Sequence, residues 1–163
     1  MGTITRRTLA TVVLSAAVIT AGAVPALSAV QLAPDVPVLT GIRTGVHPNF
    51  DRVVLDFSGP RPHVRSRFVD ELLQDGSGDI EWLTGAAFAE VVATPAQAHD
   101  DQGNPSLPGP RKFGTRNLSN VMAVAITGDY ESYLTLGIGM RRQTWVTVFT
   151  LDAPTRVVID VGR

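Results

Sequence analysis

The stretch Ala153-Pro154-Thr155-Arg156-Val157-Val158-Ile159-Asp160-Val161 decides the fold class. Pro154 marks its start, and β-branched aliphatics fill its middle. An alternating chain places successive side chains on opposite faces, so Arg156, Val158 and Asp160 share one face and Val157, Ile159 and Val161 the other. The same pattern occurs early, in Asp51-Arg52-Val53-Val54-Leu55-Asp56-Phe57. Arg52, Val54 and Asp56 form one face there, and Val53, Leu55 and Phe57 the other. Antiparallel pairing of the two strands sets Arg52 opposite Asp160 and Asp56 opposite Arg156. Opposed unlike charges contribute roughly 0.2–1 kcal/mol each, and parallel in-register pairing would oppose like charges instead. The competing reading is two independent strand edges whose charges are satisfied by water.

Between these strands the chain alternates short apolar runs with turn formers. Val38–Thr44 reads as a strand with Val38, Thr40 and Ile42 on one face, and Gly45–Phe50 as a loop. Residues 64–74 fit a helical stripe (Val64, Phe68, Val69, Leu72, Leu73) and also a strand face (Val64, Ser66, Phe68). Ile80–Leu83 and Ala87–Ala93 read as two strands, and Thr94–Ser119 as one long loop. Val121–Thr127, Tyr133–Met140 and Trp145–Leu151 complete the set, with a tight turn at Gly128-Asp129. In Tyr133–Met140 the leucines, Ile138 and Met140 face inward, and Gly137 and Gly139 leave the other face bare. Trp82 and Trp145 are expected in or at the edge of the core. The pattern predicts an all-β, antiparallel β-sandwich of about eight strands with at most one short helix near residues 66–74.

Composition narrows the function. The chain has 163 residues, 44% of them hydrophobic, and a net charge of −1. That suits one globular domain and gives no electrostatic drive toward nucleic acid. Cysteine is absent, which excludes disulfides, thiolate metal sites, a cysteine nucleophile and a lipidated cysteine anchor. The N-terminus carries an address. Arg6 and Arg7 precede an apolar run from Leu9 to about Ala23, and small residues cluster before a change of composition. Residues 1–29 therefore read as a signal peptide, with cleavage after Ala29 and with Ala26 and Ala23 as alternatives. Thr5-Arg6-Arg7-Thr8-Leu9 also resembles a twin-arginine signal. Cleavage removes both arginines against an unchanged 15 acidic residues, leaving a net charge of about −3 and no stable membrane span. The expected location is extracellular or cell-wall associated.

His47-Pro-Asn-Phe-Asp51 followed by Arg52–Phe57 resembles the AMIN-like domain of secreted and lipid-anchored actinobacterial proteins. Asp75-Gly-Ser-Gly78, Pro95-Ala-Gln-Ala-His99, Gly128-Asp-Tyr-Glu131, Leu136-Gly-Ile-Gly139 and Pro154–Val161 follow in the order of that family. The resemblance covers about residues 36–162 and places the domain at 36–163. It implies a β-sandwich related to the AMIN domains of cell-wall amidases and secretion-pore proteins, which are non-catalytic targeting modules. It thereby implies a cell-wall polymer, such as peptidoglycan, or another envelope protein as the partner.

Three clusters are candidates for chemistry. His47 and Asp51 share a loop entering a strand, a pairing suited to acid–base work, to ligand binding or to bonding its own loop. Asp129, Tyr130 and Glu131 place two carboxylates beside a ring that can stack on a sugar, and also suit an unoccupied hairpin turn. His99-Asp100-Asp101 lacks calcium-loop spacing and reads as a solvated loop. Nucleophile-elbow, zinc-helix and phosphate-loop motifs are missing. The ligand-binding candidates are therefore His47, Asp51, Asp129, Tyr130 and Glu131. Arg52, Asp56, Arg156 and Asp160 are a structural motif. No catalytic residue, metal or cofactor is assigned. A small wall hydrolase using His47 with Asp51, or Asp129 with Glu131, is the reading that the non-enzymatic one competes with.

Overall fold

The computed structural model describes residues 36–163; the signal peptide expected at 1–29 lies outside them. Among the described residues nine strands run in order: β1 (Val38–Val46), β2 (Phe50–Ser58), β3 (His63–Val69), β4 (Ala87–Thr94), β5 (Lys112–Gly114), β6 (Val121–Tyr130), β7 (Tyr133–Met140), β8 (Val146–Leu151) and β9 (Arg156–Gly162). They form two antiparallel sheets. The first has the order β1-β2-β9-β8, and the second β3-β4-β7-β6-β5.

The two echoing strands are neighbours at the centre of the first sheet. Arg52 stands opposite Asp160 and Asp56 opposite Arg156. Arg52 donates from Nε and Nη2 to the two Asp160 oxygens, at 2.6 and 2.7 Å. The second opposed pair does not close. Asp56 instead accepts both bonds from Arg43 on β1, at 2.6 and 2.7 Å. Arg156 turns back to the Pro154 carbonyl. Both β1 and β9 flank Asp56, and one carboxylate can take only one bidentate guanidinium.

Inward-facing residues of both sheets make the core: Val53, Leu55 and Phe57 from β2, Val157, Ile159 and Val161 from β9, and Leu134, Leu136, Ile138 and Met140 from β7. Two bulges change faces that simple alternation predicts. The register of β1 shifts between Leu39 and Gly41. Leu39 therefore joins the core, with Ile42 packed against it, while Thr40 is exposed. A bulge between Val121 and Ala123 does the same at the start of β6, so Val121 rather than Met122 is fully buried.

The segment after β3 departs most from expectation. Residues 63–69 are strand, and no helix forms at 66–74. Every β3 residue pairs with β4 from His63↔Thr94 to Val69↔Phe88, and those ladder bonds outweigh a partial helical stripe. Ile80–Leu83 is not a strand; Ile80 makes a single bridge to Leu73. The stretch instead lies across the outer face of β7. A Cβ on Gly137 would sit 2.7 Å from the Leu72 Cδ1, and one on Gly139 would overlap the Thr84 carbonyl oxygen. The bare face of β7 is thus a seat for this segment, and β7 is buried on both sides. Trp82, expected in or at the edge of the core, is 79% exposed, and Trp145 is 51% exposed. The long loop 94–119 contains β5 and a bridge between His99 and Pro105. The β6–β7 turn falls at Glu131-Ser132, both with positive φ (48° and 62°), between the paired Tyr130 and Tyr133. Gly128 serves another purpose than turning, since a Cβ there would overlap the Asp75 carboxylate.

Candidate functional site

The sequence candidates separate onto opposite ends of the sandwich. Asp51 binds the start of β6, whereas Asp129 and Tyr130 occupy its end. At about 3.3 Å per residue, these points lie roughly 25 Å apart.

Asp51 is fully buried and has a structural task. It shares the inward parity of Val53 and Leu55, so its carboxylate enters the interface between sheets. Oδ2 accepts the backbone N–H of Asn120 at 2.5 Å and of Val121 at 3.0 Å, and the Arg163 guanidinium lies 3.5 Å from Oδ1. Burial alone would raise its pKa and is the largest single influence. The amides of Asn120, Val121 and Ser119, with Arg163, together outweigh it and hold the carboxyl below its usual value. Asn120 extends the clasp through Nδ2, which donates to the Gly162 carbonyl at 2.7 Å. The expected His47–Asp51 pair does not form. His47 stacks on Phe50 instead, with ring centroids 4.5 Å apart and planes 12° from parallel. Phe50 and Asp51 have opposite parity on β2, so the ring on which His47 stacks faces away from the Asp51 carboxylate.

Asp129 and Tyr130 contribute to a polar cleft of about 660 Å³. Thr127–Tyr130 of β6 line it, with the Gln74–Ser77 turn and the loop residues His99, Gly103, Pro105 and Arg111. β5 pairs only with Ala123–Ala125, so the far part of β6 has no strand beside it at this edge. Asp129 anchors the loop: Oδ1 accepts the Ala98 N–H at 2.9 Å, while His99 Nδ1 and Arg111 Nη1 approach Oδ2 at 3.1 and 3.4 Å. Asp75 docks in the space that Gly128 leaves and accepts the Thr135 hydroxyl at 2.8 Å. The Thr127 hydroxyl is buried and has no hydrogen-bond partner. Tyr130 is 70% exposed. Glu131 is exposed in the turn and is not among the cleft residues.

The cleft therefore offers donors from Arg111, Gln74 and Ser77, acceptors from Asp75, and an exposed phenol ring. Such a mixed set suits a polar, ring-bearing ligand better than a single strong charge. Sequence reasoning missed Arg111, Gln74 and Asp75 as site residues, and it assigned His99 to a solvated loop. They lie in loops far apart in sequence, and only the fold gathers them. The Gly128-Asp129 pair was the available signal, because a glycine beside a buried carboxylate marks a close approach. Asp100 spends both oxygens on its own loop, accepting the backbone N–H groups of Gln102 and Asn104 and the Asn104 side-chain amide.

A family model, the AMIN-like domain, matches residues 37–163. The chain belongs to the AMIN-like domain family. That match spans the whole two-sheet body, including both echoing strands and every cleft residue. The AMIN-like domain is an envelope-associated module, generally of the non-catalytic kind. No curated protein and no solved structure matches the chain. No helix among the described residues is long and apolar enough to cross a membrane.

Proposed function

We propose that this AMIN-like domain is an exported, non-catalytic module that holds a cell-wall polymer, peptidoglycan foremost, in the cleft at the end of β6. In this reading residues 1–29 are a cleaved signal peptide. One observation carries the site: the exposed Tyr130 ring stands beside a cleft lined by Gln74, Asp75 and Arg111. A saccharide hydroxyl or a stem-peptide amide would bond Gln74, Asp75 or Arg111 while Tyr130 covers a ring or methyl face. The mildly acidic chain has no long-range attraction for an anionic polymer, so short-range contacts must supply the affinity.

Co-sedimentation of the 36–163 domain with protein-free cell wall tests the reading. Retention at low salt is expected, with Tyr130→Ala and Arg111→Ala each weakening it by about five- to tenfold. No retention by a protein whose circular dichroism shows the folded state would overturn it.

A second reading, docking of another envelope protein, rests on a different surface. Phe68, Leu73, Ile80 and Trp82 are all exposed at the region where β3 leads into the covering segment. Exposed apolar clusters of this kind mark interaction sites. This reading predicts a specific co-purifying protein that is lost with Trp82→Ala while wall retention is unchanged.

A further inference from the structure

The outer face of the first sheet carries a second group of rings, at the end of the sandwich away from the cleft. Phe50, Arg52 and Gly162 all point outward there, with Phe50 and Gly162 directly opposed. His47 stacks on Phe50. The Phe50 and Trp145 ring centroids lie 6.2 Å apart, with planes at 56°. Trp145 rests on Gly162 so closely that a Cβ there would come within 2.5 Å of its Nε1. The backbone thus supports one side of the indole, yet half the residue remains exposed.

Arg52 completes the surface. Its guanidinium carbon lies 5.2 Å from the Phe50 centroid and 5.8 Å from that of Phe149. Nε and Nη2 are committed to Asp160, which fixes the plane of the group and leaves Nη1 outside both bonds. The ion pair cancels its own charge, as Arg43 and Asp56 do alongside it. The face therefore combines flat apolar rings, one spare guanidinium N–H₂ and little net attraction for an anion.

We propose that this face is a second, separate binding surface, which takes uncharged pyranose rings of a glycan chain. Axial C–H groups of a pyranose pack on the Trp145 and Phe50 rings, and its hydroxyls meet Arg52 Nη1 and Asp160. Charge complementarity selects this occupant: a neutral hydrogen-bonding rim beside stacked rings matches a neutral ring bearing hydroxyls. An acidic polymer finds no unbalanced cation at Arg52 or Arg43, and Arg156, which bonds only the Pro154 carbonyl, stands at the far end of β9, opposite Asp56 and away from the rings. The proposal stands independently of the cleft, since the two surfaces share no residue.

Nuclear magnetic resonance titration of the 36–163 domain with a soluble N-acetylglucosamine oligomer tests it. The Trp145 indole N–H, assigned with Trp145→Phe, should shift saturably, and the Trp82 indole should not. Trp145→Ala should weaken binding at least tenfold, followed through the Phe50 and Arg52 amides. Trp145→Tyr should recover part of it, and Tyr130→Ala should leave it unchanged. A response absent at millimolar oligomer, or confined to the cleft amides, would overturn the proposal. So would a concentration-dependent Trp145 shift without saccharide, which would make this face a contact between copies of the chain.

Discussion

At the scale of single residues, Asp51 shows how a charge can look like a site and serve as a fastener. It stands near a turn, four residues after His47, a spacing that suits a ligand-binding pair. Its parity with Val53, Leu55 and Phe57 was nonetheless visible in the sequence, and that parity sends it inward. Removing it leaves the Asn120 and Val121 N–H groups buried without an acceptor. Asp51→Ala should therefore cost about 3 kcal/mol in urea unfolding, since each orphaned buried donor costs roughly 1–3 kcal/mol. A loss below 1 kcal/mol would contradict the clasp. Tyr130 poses the opposite case: sequence alone left it between a sugar-stacking ring and an idle turn. Its place in β6, rather than in the turn, comes from Glu131 and Ser132 accepting the left-handed conformations instead.

At the scale of elements, alternation located the strands with long regular runs and failed where the chain pairs irregularly. β2, β4, β7 and β9 were legible because each buries an unbroken aliphatic face. β5 was hidden by its three-residue length. The face assignments of β1 and β6 failed at bulges, where one extra residue reverses parity. The covering segment was illegible as a layer because its partner signal lies elsewhere, in the missing side chains of Gly137 and Gly139. Those glycines make a direct test. Gly139→Val should destabilise by at least about 2–3 kcal/mol, because its Cβ meets the Thr84 carbonyl and the sheet cannot yield without losing packing. Gly109→Ala, which meets nothing within 4 Å, should stay within about 0.5 kcal/mol. Comparable urea midpoints for the two would show that the segment is not seated on β7.

At the scale of the whole molecule, carboxylates tie regions together and set its response to acid. Beside Asp51, Glu81 is held below its usual pKa of 4.5, first by the bond from Lys112, which joins the covering segment to β5. Asp100 is lowered mainly by Asn104, and Asp152 by Arg61. A carboxyl with a depressed folded pKa stabilises the fold above its unfolded pKa, and that contribution fades as pH falls through the folded value. Thermal midpoints should accordingly be flat near neutrality and decline below about pH 4.5, the upper of the reference values for these groups. Asp51→Asn should flatten the lowest part of that decline. An unchanged acid profile in that variant would remove Asp51 from the explanation.

The placement of β9 between β2 and β8 has a consequence for biosynthesis. The ribosome makes β2 early and the strand that must lie beside it more than a hundred residues later, as the Arg52–Asp160 separation of 108 shows. Until Arg156–Gly162 emerges, β2 and β8 each keep an unpaired edge that invites association with other chains. Closure of so long a loop also makes native pairing slow. The nascent polypeptide is therefore poorly equipped to fold as it is made, which gives a chaperone time to act before the first sheet is complete.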